Sequence, residues 1–182
     1  LFIFLGDNIY GDTTDMTKLR AKYQQLGAIP GYLKLRAHCP IQATWDDHDY
    51  TGNNTDGADP GKDTALRVFK EYWANPSFGT PQTKGVFFTH QWGDVQMFFV
   101  DDRYWRGFDN SILGQAQTDW LQDALAASTA TFKLVIAAAA VEQVRASVAD
   151  QRIIPLFTIR VVGSDTAQQA VVAVVAVEHV VL

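Results

Sequence analysis

Apolar runs alternate along the chain with stretches in which apolar residues recur at helical spacing. An unbroken apolar run at residues 1–5 is typical of a strand that is covered on both faces. Shorter runs predict strands at residues 40–44 and 132–136. Residues 86–92 and 95–100 are separated by a Gly-Asp pair and predict a β-hairpin.

Three further stretches predict amphipathic helices. The first is capped by Thr13 or Thr14 and runs to about residue 26. The second follows a polar loop at residues 51–62 and runs to about residue 73, and the third covers residues 114–125. The side chains expected to face inward are Leu19, Tyr23, Leu26, Leu66, Phe69, Lys70, Trp73, Trp120, Leu121 and Leu125. Strands that alternate with helices and end in polar residues predict an α/β fold with its active site at the strand ends.

The last quarter of the chain differs in composition. About half of the residues from 137 to 182 are Ala or Val, and Trp and Tyr do not occur there. Two explanations stay open: a region of simple sequence, or positions assigned as Ala and Val where the true side chains were unknown, which we favour. The valine-rich end is interrupted by Glu178 and His179 and predicts a strand, and no apolar stretch reaches bilayer-spanning length. We therefore expect a single partial domain over residues 1–182, incomplete at both ends and of doubtful sequence from 137 to 182.

The composition and charge narrow the class of protein. The chain has 182 residues, of which 47% are hydrophobic and 19% charged, so it can bury one sizeable core. Its formal net charge of -5 and the absence of a basic block argue against a nucleic-acid-binding module. A phosphate substrate stays compatible with this charge, because bound metal ions can supply local positive charge. Cys39 is the only cysteine, so no disulfide can form within the chain.

The segment Gly-Asp-Asn-Ile-Tyr-Gly-Asp at residues 6–12 follows the first strand. Gly6 allows a tight turn at the strand end, and the carboxylate of Asp7 then projects into a cleft, where it can bridge two cations. Tyr10 can reach the same cation, and a phenol beside a trivalent metal loses its proton easily. The structural alternative is an Asp-Gly turn with a packed tyrosine.

The segment Trp-Asp-Asp-His-Asp at residues 45–49 is the second acidic cluster. Three carboxylates and a histidine in four consecutive positions would repel one another without a counter-ion. A metal ion explains the carboxylates, and phosphoryl chemistry explains the histidine as an acid. The alternative is a solvated acidic turn, which does not account for the aromatic residues Trp45 and Tyr50 on either side of the acids.

Together the two segments resemble the alkaline-phosphatase-D-like (PhoD-like) branch of the calcineurin-type metallophosphoesterases. The matching stretches are Leu-Gly-Asp-Asn-Ile-Tyr at residues 5–10 and Ala-Thr-Trp-Asp-Asp-His-Asp at 43–49. Residues 100–106 and 112–121 fit the same branch, so the resemblance covers the chain up to about residue 136. It implies a two-sheet metallophosphoesterase sandwich that is flanked by helices.

The resemblance also implies roles for individual residues. Asp7 matches the carboxylate that bridges two metals, and Tyr10 matches the tyrosine that ligates iron in this branch. Asp47 falls where the wider superfamily has a metal-binding asparagine. His48 falls on the histidine next to the scissile phosphoester.

Two further candidates depend on less specific matches. Arg103 lies in an Asp-x-Arg-Tyr segment, where a guanidinium fork could hold phosphate oxygens or could instead pair locally with Asp101. His179 is the counterpart of a metal-binding histidine near the end of the family domain, although the family's preceding Gly and Asp are missing here. The family also has a first metal motif upstream of this strand, so we expect the ligand set of this chain to be incomplete.

The expected activity is hydrolysis of phosphate esters, of the phosphatase or phosphodiesterase type, by a metal-activated hydroxide. The resemblance implies two or more metal ions, iron with calcium or another divalent cation, a small phosphoester substrate, and a secreted or periplasmic location. One alternative is a degenerate, non-catalytic relative that acts as a binding or structural protein. Another is a glycoside hydrolase that uses Asp7 and Asp47 as paired carboxylates. The sequence leaves the oligomeric state and the choice between monoester and diester open.

Overall fold

The computed structural model describes residues 1–108, 111–138, 154–160 and 171–176, the last two ranges through their backbone only. The strands are β1 (Phe2–Leu5), β2 (Ile41–Thr44), β3 (Phe88–Trp92), β4 (Val95–Phe99), β5 (Phe132–Ala137), β6 (Ile154–Arg160) and β7 (Val171–Ala176). The helices are α1 (Met16–Ala28), α2 (Pro30–His38), α3 (Asp47–Tyr50), α4 (Lys62–Tyr72) and α5 (Gln115–Ala127).

The first sheet consists of β1 and β2, which run parallel and place Leu5 opposite Thr44. Successive side chains of a strand point to opposite faces, and β1 uses both. Phe4 packs against Trp73 beside the helices, with ring centroids 5.1 Å apart. Ile3 and Leu5 pack on the opposite face against the second sheet. The unbroken apolar run of β1 therefore reflects a strand that is covered on both sides.

The second sheet has the strand order β3-β4-β5-β7-β6. Strands β4 and β5 are parallel, and the other neighbouring pairs are antiparallel. Met97 and Phe99 of β4 face the first sheet, whereas Phe98 packs on the other side against Leu121 and Leu125 of α5. The architecture is thus a sandwich of two sheets with helices outside, which confirms the predicted α/β fold class.

Most predicted elements are present, and the differences have local causes. α1 is capped by Asp15, not by Thr13 or Thr14, because one Asp15 oxygen accepts hydrogen bonds from two amides of the first turn, at 2.8 and 3.3 Å. α2 was not predicted; it begins at a proline and buries none of its residues, so it has no apolar stripe to detect. The prediction that Lys70 lies on the inner face of α4 was wrong, because its side chain is exposed to solvent.

Within the described ranges, no helix combines the length and apolar character that crossing a bilayer requires. The strand predicted for the valine-rich end is confirmed by β7. The predictions for the side chains of the last quarter, including His179, fall outside the described residues.

Candidate metal centre

Four strands end close to one another at one edge of the sandwich. β1 and β2 are parallel, so their carboxyl ends share this edge, and the Thr44 hydroxyl donates to the Val100 carbonyl 3.3 Å away at the end of β4. Gly6 lies in the middle with a φ of 93°. A Cβ atom at this position would come within 2.7 Å of the Asp46 Cβ and 3.0 Å of the Ala138 Cβ beyond β5. Only glycine therefore fits where the two sheets approach each other.

This edge brings Asp7, Asp47 and His48 together. One potential ligand atom from each of the three side chains lies within 4.8 Å of the other two. The two carboxylates are thus at most 4.8 Å apart, which is within the reach of carboxylates that share a two-metal site. Asp7 directly follows Gly6 and has a φ of 50°, so the turn itself directs its carboxylate toward the end of β2.

Asp7 has an acceptor atom that the described residues leave unsatisfied. Its Oδ1 atom is buried and receives no hydrogen bond from any part of the chain that the structure describes. Burial, together with the charges of Asp46 and Asp47, raises the pKa of Asp7 to about 6. A buried carboxylate oxygen without a donor is unfavourable, and a cation is one of the few groups that would stabilise it.

Asp47 is held in place more firmly. Its Oδ2 atom accepts a hydrogen bond of 2.6 Å from the amide of Asn54, and its Oδ1 atom accepts one of 3.1 Å from the amide of His48. Burial by itself raises the pKa of Asp47, but the Asn54 amide and the Arg103 guanidinium outweigh it, so the pKa lies below its usual value. Asp47 is thus an ionised and oriented carboxylate.

His48 is oriented by Asp12, a residue that the sequence analysis did not single out. The Nδ1 atom of His48 lies 2.6 Å from the Asp12 Oδ1 atom, and the amide of Gly11 donates to the His48 carbonyl at 3.0 Å. Burial lowers the pKa of His48, but the hydrogen bond and charge of Asp12 outweigh it and raise the pKa overall. Because Nδ1 is engaged, the Nε2 atom is the one left for chemistry.

Tyr10 lies beside this histidine and remains half-exposed. The centroids of the Tyr10 and His48 rings are 4.3 Å apart, with 35° between the ring planes. Burial and the charges of Asp7 and Asp47 raise the pKa of the Tyr10 phenol in the absence of metal. A nearby cation would act in the opposite direction and favour the phenolate.

Arg103 pairs with Asp46, not with the Asp101 side chain that the sequence offered as its local partner. Its Nε atom donates to the Asp46 Oδ1 atom at 2.6 Å, one terminal nitrogen contacts the same oxygen, and the other donates to the Thr55 carbonyl at 3.3 Å. Burial lowers the pKa of Arg103, but neighbouring carboxylates outweigh it and keep the guanidinium charged. Asp46 also accepts from the amide of Asp47 at 2.9 Å, so the ion pair lies directly behind the carboxylate of the cluster.

Asp49 is fully buried and accepts four hydrogen bonds. The amides of Asp46 and Asn8, each at 3.1 Å, and the Asn8 side chain at 3.2 Å donate to its Oδ2 atom. The Ile9 amide donates to its Oδ1 atom at 3.1 Å. Burial raises the pKa of Asp49 to about 7, and the three amides oppose this shift. Its carboxylate thus connects the loop after β1 with the loop after β2.

Comparison with known proteins identifies the family. A sequence model of the PhoD-like phosphatase family matches residues 1–180. The chain belongs to the PhoD-like phosphatase family. A solved structure entitled "Structure of PhoD" has a similar fold, with a TM-score of 0.61 and 18% sequence identity over 73% of this chain. The match covers 35% of that structure's chain, so the present chain spans about a third of its length. The chain has no match among curated proteins.

Asp101 and Gln117, which lie in the segments at residues 100–106 and 112–121, make buried hydrogen bonds that support the fold. The carboxylate of Asp101 accepts hydrogen bonds from the Trp45 indole at 2.8 Å, the Val86 amide at 2.7 Å, and the amides of Arg103 and Tyr104 at 2.9 Å each. Gln117 of α5 holds the Asp101 backbone, accepting from its amide and donating to its carbonyl, both at 2.7 Å. These family residues shape the loop after β4 and hold Trp45 immediately before the acidic cluster.

Among the described residues, the group formed by Asp7, Asp47 and His48 is the one that could hold a metal ion. Carboxylate oxygens suit calcium or manganese, and an imidazole nitrogen suits iron. The unsatisfied Asp7 oxygen supports the fit, because a cation at this cluster would give the buried carboxylate a partner that the described residues do not supply.

Proposed function

We propose that the full-length protein hydrolyses phosphate esters with the help of metal ions bound by Asp7 and Asp47. The observation that carries this proposal is the convergence of the two carboxylates and His48 within 4.8 Å at a strand edge, where one Asp7 oxygen lacks any described donor. Membership of a phosphatase family supports the reaction class. Two cations bound here would lower the pKa of the attacking water and neutralise charge on the phosphate.

The proposed ligands differ in how they are presented. Asp7 would hold metal through its carboxylate, since it follows a glycine turn and one of its oxygens lacks a described donor. Asp47 would bind one cation from a fixed position, because two amides already hold its carboxylate. Tyr10 would bind through its phenolate, and iron with calcium or another divalent cation would suit this mixture of oxygen ligands. His179 remains a proposed ligand on the grounds of the family resemblance alone.

His48 is proposed as the group that protonates the leaving alkoxide. Asp12 holds its Nδ1 atom and favours the protonated ring, which leaves the Nε2–H group as the donor. The adjacent Tyr10 ring, inclined by 35° to the imidazole, restricts the movement of the His48 ring. The requirement for such an acid is greatest when the leaving group is a poor one, since a stable alkoxide or phenolate departs without a proton.

Arg103 is proposed to orient the phosphate. Three of its nitrogens are engaged with Asp46 and Thr55, and a guanidinium carries five N–H groups, so two of them remain for phosphate oxygens. The buried ion pair with Asp46 fixes the plane of the guanidinium before substrate arrives. The substrate is proposed to be a small phosphate monoester or diester.

A leaving-group series tests the acid role of His48. We expect His48→Ala to reduce turnover of alkyl phosphates by about 100-fold and that of p-nitrophenyl phosphate far less, because general-acid catalysis contributes most to poor leaving groups. His38→Ala is the control, since His38 is exposed on α2 beyond the opposite end of β2. Equal losses for both substrates would rule out the acid role.

Chelation separates the proposed enzyme from its alternatives. A chelator should abolish phosphate-ester hydrolysis, and added divalent cation should restore it. A full-length protein that binds metal but hydrolyses no phosphate ester would favour the non-catalytic alternative. Chelator-insensitive cleavage of glycosides would favour the paired-carboxylate alternative.

A further inference from the structure

We propose that Asp49 is a positioning residue that sets the distance between Asp7 and Asp47. This inference rests on the proposed function, because it concerns the same metal site. It assigns a role to the one acid of the Trp-Asp-Asp-His-Asp segment that the proposed chemistry does not use. Asp49 is itself fully buried and lies outside the group of potential ligands found among the described residues.

Asp49 joins two loops that lie far apart in the sequence. Its Oδ1 atom accepts from the Ile9 amide, and its Oδ2 atom accepts from the amide and the side chain of Asn8. Both donor residues directly follow Asp7, so their position fixes the turn from which Asp7 projects. The Asn8 side chain also donates to the Thr44 carbonyl at 2.9 Å, which ties the same turn to the end of β2.

The same carboxylate also fixes the start of α3. The Asp46 amide donates to the Asp49 Oδ2 atom, and the Asp46 side chain in turn accepts from the Asp49 amide, which together form a capping box around this short helix. One carboxylate therefore holds the residue after Asp7 and the residue before Asp47. No other described side chain accepts hydrogen bonds from both loops.

The four hydrogen bonds to Asp49 require a carboxylate at this position. All four bonds use N–H donors, so only a group that accepts in four directions can replace the carboxylate. An amide in the place of Asp49 would direct an NH₂ group at backbone N–H groups and would force the two loops apart. Groups that orient metal ligands from behind typically change metal affinity by about 10–100-fold when they are replaced.

The test uses Mn²⁺ as the probe and the full-length protein. Two Mn²⁺ ions that share a bridging carboxylate, about 3.5–4 Å apart, give an exchange-coupled electron paramagnetic resonance spectrum that depends on their separation. We expect Asp49→Asn to weaken Mn²⁺ binding by at least about tenfold and to reduce the coupled spectrum, with the circular dichroism of the folded protein retained.

Asn75→Ala is the matched control for lost stability. Asn75 is buried and makes two hydrogen bonds to the Ala43 backbone of β2, at 3.0 and 2.8 Å, without touching either metal loop. It should lower the thermal midpoint as Asp49→Asn does and should keep the Mn²⁺ affinity and the coupled spectrum. If Asp49→Asn does not fold, Asn8→Ala decides: it removes the side-chain bonds to Asp49 and to the Thr44 carbonyl and should weaken Mn²⁺ binding about threefold, less than the full loss of a ligand-orienting group. Unchanged Mn²⁺ affinity in a folded Asn8→Ala variant would overturn the positioning role.

The possible results separate the two proposals. If the wild-type protein gives no coupled Mn²⁺ pair, the proposed function and the positioning role both fail. If the wild-type protein gives the pair and Asp49→Asn keeps it at unchanged affinity, only the positioning role fails. A loss in Asn75→Ala equal to that in Asp49→Asn would also overturn the positioning role, because general destabilisation would then explain both.

Discussion

Two aspartate-rich loops follow neighbouring strand ends in this protein, and the first carboxylate of each loop differs in its hydrogen bonding. In the loop after β4, Asp101 accepts four hydrogen bonds from groups on three segments of the chain. In the loop after β1, Asp7 keeps a buried oxygen for which the described residues supply no donor. A satisfied buried carboxylate stabilises a fold, whereas an unsatisfied one costs free energy unless something binds to it. We therefore infer that Asp101 stabilises the loop after β4, whereas Asp7 in the loop after β1 serves to bind a ligand.

The largest effect is expected from Asp7→Asn, which should lower turnover of phosphate esters by at least about 100-fold, since the charge that bridges the metals disappears. Stability should hardly fall, because the substitution keeps the shape and the Oδ1 atom has no described donor to lose. In metal-free protein above pH 6 the thermal midpoint should stay equal or rise, because burial raises the pKa of Asp7 to about 6 and its charge is then unfavourable. A clear loss of stability would show that Asp7, like Asp101, has a structural role.

Asp101→Asn should produce the reverse pattern. The amide cannot accept from all four donors, so we expect the free energy of unfolding to fall by about 2 kcal/mol in urea denaturation. Asp63→Asn is the control, because Asp63 pairs with Lys84 at the exposed surface and accepts one hydrogen bond, from the Tyr104 hydroxyl, so it should contribute about 1 kcal/mol or less. Equal losses in the two variants would mean that the buried hydrogen bonds of Asp101 contribute nothing special.

Asp102 offers a way to break the comparison, since it lies in the structural loop but neither of its oxygens has a described partner. Burial, followed by the charge of Asp46, raises the pKa of Asp102 to about 8. A carboxyl group with a raised pKa in the folded state stabilises the fold at low pH and loses that contribution as the pH rises toward 8.

Asp102→Asn should therefore flatten the pH dependence of stability. Relative to wild type, the thermal midpoint of the metal-free variant should increase between pH 5 and pH 8, because the variant has no charge to bury. Thermal denaturation at both pH values, in the presence of a chelator, measures the difference. Parallel curves would show that Asp102 is satisfied by a partner in the complete protein.

The smallest loss of stability is expected at a solvent-exposed carboxylate whose hydrogen bonds are all made within one helix end. Asp15 caps α1 through two amides and is exposed, so Asp15→Ala should cost about 1 kcal/mol of unfolding free energy. Turnover and metal content should stay at wild-type values. A change in either would connect α1 to the site in a way that the described contacts do not support.

The sequence was most informative where a pattern is local. The apolar run of β1 and the β3-β4 hairpin were predicted from residue type and period. The meeting of Asp7 with Asp47 was also predictable, because the carboxyl ends of parallel strands share an edge. The helix α2 escaped prediction because it begins with Pro-Gly and carries no buried stripe.

The roles of Asp12 and Asp49 could not be predicted, because they depend on contacts between residues that are 36 to 41 positions apart. Nothing in the local sequence distinguishes Asp49, which is saturated by donors, from Asp47, which joins the candidate metal cluster. The register of β1 against β2 decides which acid of the segment faces the loop after β1. The pairing of Arg103 with Asp46 could not be predicted either, because it joins loops that follow strands of two different sheets.

The most direct test of the account is the metal content of the full-length protein, purified without chelator and measured together with its Asp7→Asn and Asp15→Ala variants. We expect two or more cations per chain in the wild type and in Asp15→Ala, and the loss of at least one cation in Asp7→Asn. The contrary result would be a wild-type protein that hydrolyses phosphate esters without stoichiometric metal, or an Asp7→Asn variant with unchanged metal content. In that case the unsatisfied oxygen of Asp7 would have no connection to metal binding.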